Sequence, residues 1–454
     1  MKIVLIGAGS AMFTIGVVSD LINSGLTAEL ALVDIDPNAL EVVQKLTAKM
    51  IQARNAKIKL TAVTDRRQVL NGASVVITTI GVGGRRAWEQ DVFIPRKFGI
   101  SLPVGDSVGP GGTSRAMRMI PAMVNIARDV LELAPDALFF NYANPMAPVC
   151  YAVRQATGAP IVGLCMGTWE TVHYLANSLG AKTNDLSFNV AGINHLTWFS
   201  EVYLKGRDAM PMLKAHARQV VEAVHTAVDQ AKKGKASIPH CGSPFESSFD
   251  HPFSWQCLLW FNAFPAPMDR HVTEFFPQLF RDGSYYGKTL GINEFCFEET
   301  IKVGDEIFNE MRADAYSSIP LTDAYFARLG GEQEQVIDII QAIRTNERKV
   351  FFANLPNTGQ SPNLPLNMVV ETPAVTDGRG IHAIQQTPLP TAAAGVLATR
   401  FAWVATVTEA ALEGSREKFI QAMILDGAVQ SPDSAVRLVD KFIEAQAAYL
   451  PKLV

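Results

Sequence analysis

Lys2-Ile3-Val4-Leu5-Ile6-Gly7-Ala8-Gly9-Ser10-Ala11-Met12 stands at the head of the chain, and its reading decides the fold. The apolar run Ile3–Ile6 has strand length and passes straight into a glycine turn that opens a helix. Glycines in such a turn let the backbone approach a pyrophosphate, and the amides and dipole of the following helix favour negative charge. Met12 takes the place of the usual third glycine, so the fingerprint is incomplete and its context has to carry it. A second run closes on Leu32-Val33-Asp34, where an acid can accept from a ribose hydroxyl, favouring NAD over a 2′-phosphorylated dinucleotide. The plainer alternative is a strand–turn–helix corner that binds no phosphate. Gly7, Gly9, Ser10, Ala11, Met12 and Asp34 are therefore the expected cofactor contacts, with Ile80 and Gly81 at the end of a later strand.

Outward from this corner, short strand-like runs alternate with amphipathic stretches. The runs are Lys2–Ile6, Leu30–Asp34, Ile58–Val63, Ser74–Ile80, Ala137–Asn141 and Ile161–Cys165, with helical patterns such as Leu40–Ala53 and Ser114–Leu133 between them. Six strands in this alternation predict an α/β fold, a doubly wound parallel Rossmann sheet. After Gly180 the pattern changes to two longer, half-polar strands, Leu186–Ile193 and Leu196–Leu204. Helices follow at Met212–Lys233, Arg270–Phe280, Glu332–Thr345, Ala393–Ala411 and Ser434–Leu450, and Leu355–Pro365 reads as a loop. The expected organisation is an NAD-binding domain over 1–190 and an α+β substrate-binding and oligomerisation domain over 191–454.

The 454 residues carry a net charge of −4, with no basic excess to suggest nucleic acid. Five scattered cysteines without C-x-x-C spacing do not form a disulfide framework. No apolar run approaches the roughly 18 residues of a membrane span, and the opening apolar run is too short for a signal peptide. A cytoplasmic homodimer or homotetramer acting on a small molecule is the expectation.

Three strand ends bring polar residues to one edge of the predicted sheet: Asn141-Tyr142-Ala143-Asn144-Pro145, Gly163-Leu164-Cys165-Met166-Gly167 and Gly192-Ile193-Asn194-His195. A thiolate and an imidazole can together hold a divalent metal and leave positions open for substrate oxygens. A buried cysteine and an unrelated histidine would fit the same two residues.

These segments resemble the NAD- and metal-dependent glycosidases of glycoside hydrolase family 4. So do Gly105-Asp106-Ser107-Val108-Gly109-Pro110-Gly111-Gly112, Phe264-Pro265-Ala266-Pro267-Met268-Asp269-Arg270-His271, Glu274-Phe275 and the stretch from Asn354 to Glu371. The pattern is similar to the galacturonidase-type branch, and the NAD-dependent sulfoquinovosidases of family 188 are a related group. The resemblance implies that Cys165 and His195 ligate a metal such as Mn²⁺ and that Asn144, also a cofactor contact, and Asp106 meet sugar hydroxyls. It implies too that Asp269 accepts a proton beside Arg270, with His271 and Tyr142 as competitors. Met166 departs from the family, which places His, Asp or Asn there; a thioether cannot act as an acid and suits hard Mn²⁺ poorly.

The implied reaction is oxidation of the sugar at C3, loss of the C2 proton to a protein base, elimination of the aglycone, addition of water and reduction of C3. Arg85, Arg115 and Arg270 flank the site loops, and their guanidinium forks suit the carboxylate or sulfonate of a uronic acid or sulfoquinovose. Arg118 reads equally as solvated helix surface. An NAD-dependent sugar or 2-hydroxyacid dehydrogenase shares the N-terminal half and is the main competing reading. An NAD-sensing protein without catalysis is another.

Overall fold

The computed structural model describes residues 1–329 and 335–453. Strands β1 (Lys2–Ile6), β2 (Ala28–Val33), β3 (Ile58–Val63), β4 (Val75–Thr78), β5 (Leu138–Asn141) and β6 (Val162–Gly163) pair in parallel in the order β3-β2-β1-β4-β5-β6. This is the doubly wound Rossmann order. The central strands β1 and β4 are buried on both faces, as their near-continuous apolar sequences require, while the edge strand β3 is partly exposed. The helix Pro37–Ala53 starts cleanly because Asp36 caps it, accepting from the amides of Asn38 and Ala39.

The sheet does not end at β6. The hairpin β7 (Leu186–Ile193) and β8 (Leu196–Leu204) carries the short strands β9 (Arg207–Asp208) and β10 (Phe264–Ala266). It joins β6 through β11 (Val350–Pro356) and β12 (Val369–Asp377), with β13 (Gly380–Ala383) outside β12. Among the described residues, thirteen strands thus form one continuous mixed sheet. The helix Thr391–Glu413 of the C-terminal half packs back on the helices Gly109–Leu133 and Met146–Thr157 of the N-terminal half.

One expectation fails locally and another is shifted by two residues. Arg270–Phe280 is not one helix but a single turn, Asp269–Val272, followed by 3₁₀ turns at Thr273–Phe275 and Pro277–Leu279. Pro277 provides the break, because it has no N–H to continue a helix. The expected loop Leu355–Pro365 is present from Asn357 onward, but its first two residues, Leu355 and Pro356, finish the strand Val350–Pro356, which lies between β6 and β12. The helix expected over Glu332–Thr345 is present as Gln335–Arg344; its first residues lie outside the described residues. No described helix is long and apolar enough to cross a membrane.

Candidate active site

The glycine corner is built as a cradle. Gly7 has φ +91°, and a Cβ there would lie 2.7 Å from the backbone nitrogen of Ile80, so the turns after β1 and β4 touch. The Gly9 amide donates to Asp34 Oδ2 at 2.7 Å, which ties the acid at the end of β2 to the turn. Ser10 Oγ faces the amides of Met12 and Phe13 at the helix start, and Met12 itself is exposed. A diphosphate fits beside such a turn because side chains are absent there and the helix dipole favours negative charge; most of the turn's own amides are engaged within the protein, those of Gly7 and Ala8 with the Val33 carbonyl and that of Ser10 with the Gly7 carbonyl.

His195 is the hub of the second cluster. It sits in the two-residue loop between β7 and β8 at φ +69°, a left-handed conformation that costs a histidine about 1 kcal/mol or more. Its Nε2 is 3.6 Å from Cys165 Sγ, and its Nδ1 is 2.8 Å from Ser107 Oγ. Ser107 donates to Asp106 Oδ1 at 2.7 Å, and Asn144 Nδ2 donates to Asp106 Oδ2 at 3.0 Å. The end of β5, the end of β6 and the β7–β8 loop therefore converge as the sequence implies. The ring of His271 lies 3.9 Å from that of His195, centroid to centroid. Asp106, His195 and His271 each place a possible ligand atom within 4.8 Å of the other two.

Burial sets the electrostatics. It holds His195 and, more strongly, His271 below the ordinary imidazole range, and the Arg270 guanidinium adds to both effects. Burial also pushes the Cys165 thiol up, with Glu371 reinforcing the shift. A cation between the thiol and Nε2 would invert this, since metal binding displaces the thiol proton. The donor set, one sulfur and one imidazole, fits a divalent transition metal. Glu371, on β12 opposite Gly192, accepts from Thr197 Oγ1 at 2.7 Å; burial pushes its carboxyl up to about 7, while hydrogen bonds from Thr197, Thr168, Asn194 and Asn354 pull the other way.

Several side chains lie elsewhere than sequence suggests. Asp269 is fully buried and accepts from the amides of Phe253 and Ser254, from Ser254 Oγ and from Tyr285 Oη. It holds the start of the helix Pro252–Phe261, and its oxygens are saturated, so it is not placed to take a substrate proton. Arg85 is drawn to the helix Phe297–Tyr316, where Nε pairs with Asp305, so it does not reach the site loops. Arg118 is neither surface nor site; it is buried, forms a bidentate pair with Asp91 and donates to Val82 O. Tyr142 packs on Phe13 at the dinucleotide corner.

Arg115 and Arg270 remain. Arg115 Nε donates to Asn144 O at 3.1 Å, and Arg270 lies over the Phe245 ring with its buried Nε lacking a hydrogen-bond partner. Ser107 and Glu371 were not singled out by sequence. Both lie inside stretches that match the family, but their roles depend on strand-end convergence.

The comparisons agree with this geometry. Residues 2–181 match the model of the family 4 glycosyl hydrolases, and residues 190–429 match the C-terminal domain of that family. The chain is 30% identical to an alpha-glucosidase of Erwinia rhapontici, over 99% of this chain and 98% of the relative. It is 28% identical to an alpha-galacturonidase of Bacillus subtilis (strain 168), over 95% and 94%. A 6-phospho-beta glucosidase of Thermotoga maritima, solved with manganese, NAD⁺ and glucose-6-phosphate, has the same fold at a TM-score of 0.77 and 20% identity, with 99% of each chain covered. The chain belongs to glycosyl hydrolase family 4, and it is a glycosidase.

Proposed function

We propose that this chain hydrolyses glycosides of an anionic hexose, a uronic acid or sulfoquinovose, by transient oxidation at C3 and elimination at C2. The observation that carries this reading is the meeting of Cys165, His195, Asp106 and Asn144 beside Arg115 and Arg270. When bound, NAD⁺ supplies a reversible hydride acceptor and a divalent metal supplies a Lewis acid toward sugar oxygens. Gly7, Gly9 and Asp34 hold the dinucleotide; Cys165 and His195 hold the metal.

Asn144 Oδ1, buried without a partner, and Asp106 face the sugar hydroxyls. His271 accepts the C2 proton: its ring is kept neutral, and its Nδ1 has no partner in the protein. Arg270, with Arg115 behind it, binds the acid group. The alpha-galacturonidase among the relatives supports an anionic sugar.

The test is hydrolysis of neutral, uronic and sulfonated aryl glycosides in D₂O, with and without NAD⁺. Deuterium at C2 of a released anionic sugar, strictly with NAD⁺, is the expected result. Cleavage without NAD⁺ and without exchange would overturn the route. Equal turnover of the neutral glycosides would overturn the substrate class.

A further inference from the structure

We infer that Ser107 is a positioning residue that sets the tautomer of His195, so that Nε2 offers a bare lone pair on the side of Cys165. The inference rests on the metal reading above and adds a residue to it. Ser107 is buried, one residue after Asp106 in the loop that enters the helix Gly109–Leu133. A hydroxyl has one proton. That of Ser107 goes to Asp106 Oδ1 at 2.7 Å, while Asn144 holds the other carboxyl oxygen at 3.0 Å. The 2.8 Å contact between Ser107 Oγ and His195 Nδ1 then needs its proton from the ring.

A metal-binding imidazole is neutral and carries one N–H. With that proton on Nδ1, the nitrogen 3.6 Å from Cys165 Sγ is bare. The opposite arrangement, Ser107 donating to Nδ1, would put the ring proton on Nε2, between nitrogen and sulfur, and close the site to a cation. The carboxyl group decides between the two, since it is the stronger acceptor for the single serine proton. The chain Asn144–Asp106–Ser107–His195 thus does for this histidine what a carboxylate does when it contacts a ligating imidazole directly. The Ser107 backbone is held close to the helix start, where a Cβ on Gly112 would lie 2.6 Å from the Ser107 carbonyl carbon.

The experiment is Co²⁺ titration of the metal-free full-length protein, read by calorimetry and by the near-ultraviolet thiolate-to-cobalt absorption. Ser107→Ala is expected to weaken Co²⁺ binding by about 10–100-fold. The thiolate band at saturation and the melting point of the metal-free protein should stay as in the parent. Ser107→Thr, which restores a hydroxyl, should recover most of the affinity. Asp106→Asn, which keeps Ser107 but weakens the acceptor of its proton, should shift affinity in the same direction as Ser107→Ala. Co²⁺ binding by Ser107→Ala as tight as in the parent, or no rescue by Ser107→Thr, overturns the inference and leaves the metal reading standing. A parent protein that shows no cobalt–thiolate band, like a Cys165→Ser control, overturns the metal reading and this inference with it.

Discussion

Gly163 stands directly opposite Asn354, and at this pairing β11 joins the edge of the parallel sheet. There is no space between them for a side chain: a Cβ on Gly163 would lie 2.9 Å from that of Asn354 and 2.8 Å from Met146 Sδ. Cys165 follows two residues later, and Asn354 donates to the Gly163 carbonyl and to Glu371. Gly163→Ala is expected to cost about 1–3 kcal/mol through overpacking. A lower denaturation midpoint, together with weaker metal binding from a displaced Cys165, would be the signature. A parent-like midpoint would mean that Met146 and Asn354 yield without cost.

Asp269 and a catalytic base make opposite predictions. Its four donors leave no place for an amide N–H₂, so Asp269→Asn should lose roughly 3 kcal/mol of stability as buried donors go unpaired. Urea unfolding checks this. Unchanged stability with abolished turnover would return Asp269 to the role of proton acceptor.

Glu274 couples stability to pH. Its Oε1 accepts from the amides of Val104 and Gly105 at 2.9 and 2.8 Å, and burial raises its carboxyl from an ordinary 4.5 to about 8. Between those values the folded chain holds a proton that the unfolded chain releases, so this group's contribution to stability falls as pH rises from 4.5 to about 8. Glu274→Gln keeps a carbonyl acceptor and does not ionise. Its stability relative to the parent should therefore improve across that interval and level off above it. Urea midpoints taken at several pH values give the answer, and a constant difference at all of them would count against the coupling.

Arg270 should set selectivity for the acid group. Lysine keeps the charge but loses the planar fork, so Arg270→Lys is expected to weaken kcat/KM for an anionic glycoside by about 10–100-fold, or roughly 1.4–2.8 kcal/mol. A neutral glycoside, if turned over at all, should lose much less. An equal loss on both would assign Arg270 to the chemistry rather than to recognition.

The parts of the site that could be read in sequence are those fixed by local pattern. Gly7 and Gly9 follow β1 directly, Asp34 ends β2, and Cys165 and His195 each sit just past a strand whose limits the apolar runs announce. What escaped depends on partners far along the chain. The strands Val350–Pro356 and Val369–Asp377 pair with each other and each takes its other neighbour from a segment nearly two hundred residues away, so they are buried inside the sheet with little alternation to betray them. Asp269 looks like a free acid until the amides of Phe253 and Ser254 are seen to close on it. Arg118 looks solvated until Asp91 meets it inside the core. Ser107 has no meaning without the ring of His195 folded against it.

The unbroken sheet also bears on how such chains can be recombined. Severed near residue 190, the N-terminal piece would keep the order β3-β2-β1-β4-β5-β6 but would lose β11 from the far side of β6. A bare strand edge of this kind recruits other chains and precipitates. The two halves look modular in sequence, cofactor first and substrate second, yet neither is an interchangeable part. A chimera that borrows its second half from a relative must import the register of β11 and β12 as well, or the graft will have no seam to close.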